Sequence, residues 1–229
     1  MLEYIERNIG QIKHRIADAA IKVGRIPDEI TLVAVSKTHP ASAVAAAARC
    51  GLTVMGESRV QEAEPKIDSL DDSLKWHMIG HLQTNKANRA VRLFDLIQSV
   101  DSYKLAAILD RAAGEAGKKL DCLLEVNSSG EAAKYGVLPA HAEEMISRIC
   151  ALQHLCLCGV MTIGPLTDNE KEIRSAFETT RGIFEKGQSI AGDSFTVLSM
   201  GMSDDFELAI AEGSTMVRIG TAIFGSRGQ

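Results

Sequence analysis

Short apolar, β-branched runs recur along this chain at nearly even intervals, and a helix-forming stretch fills nearly every gap between them. The runs lie at 31–36, 52–56, 76–79, 96–100, 122–127, 156–163, 196–200 and 216–219. The helical stretches lie at 41–50, 60–68, 85–94, 103–116, 140–150, 169–189 and 205–211. Strands that pair in parallel under helices are buried on both faces, so they read as continuous apolar runs such as Leu32-Val33-Ala34-Val35. Eight β-α units in 229 residues predict an α/β fold, a single (β/α)8 TIM barrel. An open doubly wound sheet is the alternative. It carries fewer strands and a glycine-rich first turn, whereas that turn here reads Ser36-Lys37-Thr38-His39-Pro40. No linker or low-complexity tract divides the chain, which predicts one domain over 1–229.

Ahead of the first strand, Leu2, Ile5, Ile9, Ile12, Ile16, Ala19 and Val23 recur by threes and fours, the pattern of an amphipathic helix that Gly24 and Pro27 end. This extra N-terminal helix is expected to close one end of the barrel, in preference to forming a short dimer seam. The expected state is monomer or weak dimer.

A net charge of −5 without basic runs argues against a nucleic-acid binder. No apolar run reaches the roughly 20 residues that span a bilayer, and residues 1–7 lack the pattern of a signal peptide. Five cysteines, Cys50, Cys122, Cys150, Cys156 and Cys158, contain no C-x-x-C pair. They read as free thiols of a cytoplasmic protein, with Cys156 and Cys158 on the same face of one strand.

A barrel of this kind places its chemistry at the C-terminal ends of its strands. The loops after the seventh and eighth strands often hold phosphate, and here they read Ser199-Met200-Gly201 and Gly220-Thr221. Either alone reads equally as a turn; the pair favours a phosphate site, with Ser203-Asp204-Asp205 as the N-cap of the next helix. Lys37 follows the first strand, where barrel walls can desolvate its amine and free it for Schiff-base formation. A lysine facing a phosphate cradle is the constellation for pyridoxal phosphate, whose aldehyde and phosphate lie at opposite ends of one ring. Arg218 precedes the phosphate turn. It reads either as a salt-bridged barrel residue or as a partner of the pyridine nitrogen that would leave that nitrogen unprotonated.

Around these residues the chain resembles the pyridoxal phosphate homeostasis protein family, itself similar to the N-terminal barrel of alanine racemase. The resemblance is carried by Leu32-Val33-Ala34-Val35-Ser36-Lys37-Thr38, Gly56-Glu57-Ser58-Arg59-Val60-Gln61-Glu62 and Trp76-His77-Met78-Ile79-Gly80-His81-Leu82-Gln83-Thr84-Asn85-Lys86. It continues through Leu198-Ser199-Met200-Gly201-Met202-Ser203-Asp204-Asp205 and the closing 213–225 stretch. It implies that Lys37 carries the cofactor and Arg218 faces the pyridine nitrogen. Ser199, Gly201, Gly220 and Thr221 would hold the phosphate, with Ile79 and Met161 near the ring and Met200 also among the cofactor-binding residues. The family usually has Asn where this chain has Ser58, so Ser58 is carried over as a site with a shorter side chain. The implied role is intracellular vitamin B6 homeostasis, with apo forms of pyridoxal-dependent enzymes as partners. The alternative is a small racemase-like enzyme. For it Tyr135 is the tyrosine able to approach the rim, since Tyr4 and Tyr103 are placed elsewhere.

Three weaker signals are set aside. His77 and His81 fall on a strand and its loop without the acidic partner of a zinc motif, so no metal site is expected. Residues 182–189 mimic a P-loop but carry Gln188 in place of the lysine. Asn127-Ser128-Ser129-Gly130 with Lys134 reads as a polar loop that could accept an anion.

Overall fold

Parallel pairing runs in chain order through eight strands and closes when the last meets the first. The computed structural model describes residues 2–225. Its strands are β1 (Thr31–Val35), β2 (Val54–Glu57), β3 (Lys75–Met78), β4 (Leu96–Val100), β5 (Leu120–Val126), β6 (Leu155–Thr162), β7 (Val197–Ser199) and β8 (Met216–Ile219). Closure is made by β1 and β8, with Thr31, Leu32, Val33 and Ala34 opposite Met216, Val217, Arg218 and Ile219. The fold is therefore a (β/α)8 barrel, as the sequence predicts.

The helices are α1 (Leu2–Lys22), α2 (Ala41–Arg49), α3 (Val60–Ser69), α4 (Ala87–Leu93), α5 (Tyr103–Glu115), α6 (Ala142–Cys150), α7 (Glu170–Ala191), α8 (Phe206–Ala211) and α9 (Thr221–Phe224). Start signals are visible at two of them: Ser102 accepts from the Leu105 amide before α5, and Asn169 from the Lys171 amide before α7. The 182–189 segment lies wholly inside α7, away from any strand-to-helix turn.

Among the described residues the helix after β8 is only α9, too short to cover the sheet, so the ring would have a gap there. The α1 helix fills it, packing against α2, α8 and α9. Its Ile5, Ile9, Ile12 and Ile16 are buried, each contributing about 1.5–3 kcal/mol. The expectation of a helix closing one end is corrected: α1 lies on the flank, where the chain covers the stripe from Ile5 to Ala19 and leaves Leu2 and Val23 at its ends exposed.

Side chains fill the space inside the barrel. Val33, Leu96, Leu123, Met161 and Met216 form its inner apolar layer, while a larger core fills the space between sheet and helices. No helix among the described residues is long and apolar enough to cross a membrane.

Candidate functional site

The C-terminal strand ends and their loops form one rim, and β1 supplies its first group. Alternation along the strand sends Lys37 to the same side as Val33 and Val35, at the mouth of the barrel, where it is half-buried. The turn it stands on is tightly held. Ser36 Oγ donates to Glu57 Oε1 at 2.7 Å, and Lys66 Nζ donates to that oxygen at 2.6 Å and to Ser36 O at 2.8 Å. Glu57 is fully buried and Lys66 nearly so. Such a pair costs much desolvation, so its role here is positional: it pins the backbone from which Lys37 projects. Thr38 takes a left-handed φ of 68°, and its amide donates to Glu62 Oε2 at 3.2 Å.

A chain of buried polar groups crosses the barrel interior behind the rim. Arg218 Nη1 donates to Ser199 Oγ at 2.7 Å, and Nη2 donates to Thr162 O at 2.7 Å. Ser199 Oγ donates to Gln98 Oε1 at 2.7 Å, and Gln98 Nε2 lies 3.0 Å from His77 Nδ1. An amide nitrogen can only donate, so Nδ1 accepts, in keeping with a neutral ring. Burial lowers His77 to about 4, against a weaker pull from Asp95. Burial also lowers the Arg218 guanidinium to about 10, while Glu125 and Asp205 oppose it; the group stays cationic at neutral pH. Glu125, buried and with Oε2 lacking a hydrogen-bond partner, is raised to about 7, first by burial and then by Asp101.

Above this chain lies a cavity of about 240 Å³. Lys37 and Arg218 bring it two cationic side chains, and Ser58, Ser203 and Thr221 bring hydroxyls. Val35, Ile79, Ile163 and Met202 supply apolar walls, and Gly220 closes the side next to β1. At Gly220 a Cβ would lie 3.0 Å from Val35 O and 3.2 Å from Val35 Cβ, so glycine is what permits this approach. His39 joins the wall beside Phe224, its ring lowered by burial and then by Lys66. Asp204 adds one exposed carboxylate.

Of the site residues read from the sequence, the structure brings Lys37, Ser58, Ile79, Arg218, Gly220 and Thr221 to this wall. Four others lie off it. Met161 sits a layer deeper in the apolar interior, and Ser199 holds Arg218 and Gln98. Met200 points into the core between sheet and helices. Gly201, at φ 96°, backs onto α8, where a Cβ would lie 2.6 Å from Ala209 Cβ, and its carbonyl accepts from the Arg218 amide. The reason is depth: a motif marks a strand end, but successive side chains alternate between core, interior and rim.

Thr38, His39 and Ser203 come from strand-end loops that the sequence places on the rim, though without a binding role, and Ile163 is not marked by any motif. Alternation from Met161 to Ile163 was the available signal for one of them. Asp205 stands at the N-cap of α8 as the sequence predicts, but its carboxylate accepts from the Met202 amide at 2.6 Å instead of from a helix amide, and Ser203 Oγ accepts from the Ala222 amide at 3.4 Å. Tyr135 stacks on His81 at 3.7 Å, and His81 Nδ1 lies 2.9 Å from Asp101, outside the cavity lining. His77 and His81 thus have separate partners. In the 127–134 loop Lys134 Nζ donates to Glu131 Oε1 and Gly164 O, and Asn127 Nδ2 to Glu131 O, so its polar groups serve one another.

A closed parallel barrel of eight strands with its candidate site at the C-terminal rim places the chain in a class, the barrel of the racemase type. The family model described as "Alanine racemase, N-terminal domain" matches residues 7–228. Alanine racemase of Clostridium difficile shares the fold, with a TM-score of 0.80 at 14% identity over 99% of this chain and 58% of that one. Within the class, the chain belongs to the pyridoxal phosphate homeostasis protein family. It is 40% identical to the protein of that name from Haemophilus influenzae over 97% of this chain and 96% of the relative. PipY of Synechococcus elongatus, whose structure has pyridoxal phosphate bound, is 40% identical with a TM-score of 0.80, covering 92% of this chain and all (100%) of that one.

Proposed function

We propose that this chain binds pyridoxal phosphate at the rim cavity and serves intracellular vitamin B6 homeostasis, storing the cofactor or passing it to apo-enzymes. The observation that carries the reading is that one cavity joins the Lys37 amine, the Gly220–Thr221 edge with Ser203, and the Arg218 cation. The donor set fits the cofactor's chemistry: an amine for an aldehyde, hydroxyls for a phosphate dianion, and apolar walls for a ring. Two cationic side chains against one solvated carboxylate favour an anionic ligand. Bound pyridoxal phosphate supplies an aldehyde that condenses reversibly with an amine and a ring that accepts electrons in proportion to the protonation of its nitrogen.

In this reading Lys37 would supply the amine that meets the cofactor's aldehyde, and the Ser36–Glu57–Lys66 cluster holds the lysine's backbone. Thr221, Gly220 and Ser203 bind the phosphate. Arg218 keeps its own proton, so it donates hydrogen bonds and offers no acid to a ring nitrogen. That suits holding a cofactor over abstracting α-protons. The whole 1–229 chain acts as one binding unit, in the reducing cytoplasm that its free thiols suit.

Reduction of the loaded protein with borohydride, followed by peptide mass mapping, tests the anchor. The pyridoxyl group is expected on Lys37. Finding it mainly on Lys86 or Lys134 would overturn the assignment.

A further inference from the structure

At the end of the barrel away from the cavity, the starts of β5 and β6 bring Asp121, Cys156 and Cys158 together. One ligand atom from each lies within 4.8 Å of the others. Asp121 and Cys156 are direct register partners in the ladder. Cys158 arrives through an irregularity: Cys122 pairs with Leu157 but Leu123 pairs with Gly159, leaving Cys158 as the extra residue of a β-bulge. Glycine makes that bulge possible, because a Cβ on residue 159 would lie 1.8 Å from Val197 O.

The bulge has a chemical consequence. Residues two apart on a regular strand are separated by about 6.6 Å, yet the Cys156 and Cys158 sulfurs lie 3.7 Å apart. Two thiolates bound tetrahedrally to one zinc ion, each at about 2.3 Å, are themselves about 3.75 Å apart. The thiol pair is thus already spaced as one edge of a tetrahedral site, and a carboxylate stands beside it. Access is open, since Asp121 is exposed and both cysteines are half-buried. Cys158 also rests on the apolar interior of the barrel, which limits its freedom.

We propose that Asp121, Cys156 and Cys158 form a binding site for a thiophilic cation, zinc or one of similar softness, with a fourth position open to water or another ligand. Both thiols release their protons to solvent as the two metal–sulfur bonds form, and no oxidation state changes. Hard cations such as magnesium and calcium, which prefer all-oxygen ligands, are disfavoured. The site is separate from the cofactor cavity and does not depend on the reading of that cavity.

The test uses the full chain, zinc in competition with a chromogenic chelator, and cobalt(II) as a spectroscopic probe. One equivalent of zinc is expected, with sulfur-to-cobalt charge-transfer bands and tetrahedral ligand-field intensity. Cys156→Ser and Cys158→Ser should each weaken zinc by at least about 100-fold, more than loss of an outer-shell partner costs. Cys50→Ser should bind as the parent does. If a serine variant fails to fold, Asp121→Asn, altered at an exposed side chain, should still weaken zinc by about 10-fold. Zinc affinity unchanged in these variants, no competition with the chelator, or a cobalt spectrum without sulfur bands would each overturn the proposal.

Discussion

Thr221 and Arg218 both face the cavity, but one is exposed and the other buried, and this decides what each can be asked to do. An exposed hydroxyl that meets a phosphate dianion makes a charge-assisted hydrogen bond worth about 1.5–3 kcal/mol. Thr221→Val should therefore weaken pyridoxal phosphate by roughly ten-fold or more while leaving unphosphorylated pyridoxal nearly unchanged, as titration with both ligands would show. Equal losses would assign Thr221 to the fold instead. Glu125 gives a pH signature. Its carboxyl is raised from 4.5 to about 7 by burial and Asp101, against Arg218. Between those values the folded state holds a proton that the unfolded chain has released, so this group's contribution to stability falls as pH rises and is level above. Glu125→Gln removes the ionisation. The variant should exceed the parent in stability by on the order of 3 kcal/mol near pH 8, the difference shrinking toward pH 4.5 in urea melts. At this scale the sequence was only partly legible. Lys37 and Arg218 stood out as charges beside apolar strands, but nothing in the letters said that Ser199 would be taken up by Arg218 and Gln98.

Elements were more legible than residues, because parallel strands buried on both faces leave continuous apolar runs that no turn or exposed helix imitates. The boundaries moved where packing and pairing differ. Leu52 belongs to the core, yet ladder pairing begins only at Val54. The expected helix starts at residues 85 and 140 are tight 3₁₀ turns, Thr84–Lys86 and Pro139–His141, that lead into α4 and α6. The β6 bulge could not be read, since one extra residue leaves an apolar run looking unbroken. The role of α1 was also hidden, because a flank position depends on α9 being short. Buried Asn8 now links the two, its Nδ2 donating to Ile223 O at 3.0 Å and so tying α1 to the helix that begins at Thr221. Asn8→Ala removes that hydrogen bond, which should cost about 0.5–1.5 kcal/mol. It should also loosen pyridoxal phosphate more than pyridoxal. A stability loss with unchanged ligand selectivity would separate α1 from the cofactor edge.

For the molecule as a whole, the barrel divides its labour by end. The C-terminal rim carries the lysine, the hydroxyls and the buried arginine, while the N-terminal end carries the thiol pair. In the proposed reading the rim would hold pyridoxal phosphate without sustained α-carbon chemistry: Arg218 would offer the ring no acid, and Tyr135 stands outside the cavity lining against His81. The most direct measurement follows the α-proton of L-alanine by NMR in deuterated water with loaded protein, while cofactor transfer to an apo-enzyme is assayed on the same sample. Negligible exchange together with measurable transfer is expected. Exchange over many turnovers that disappears in Lys37→Ala would contradict it and make the protein a racemase-like enzyme.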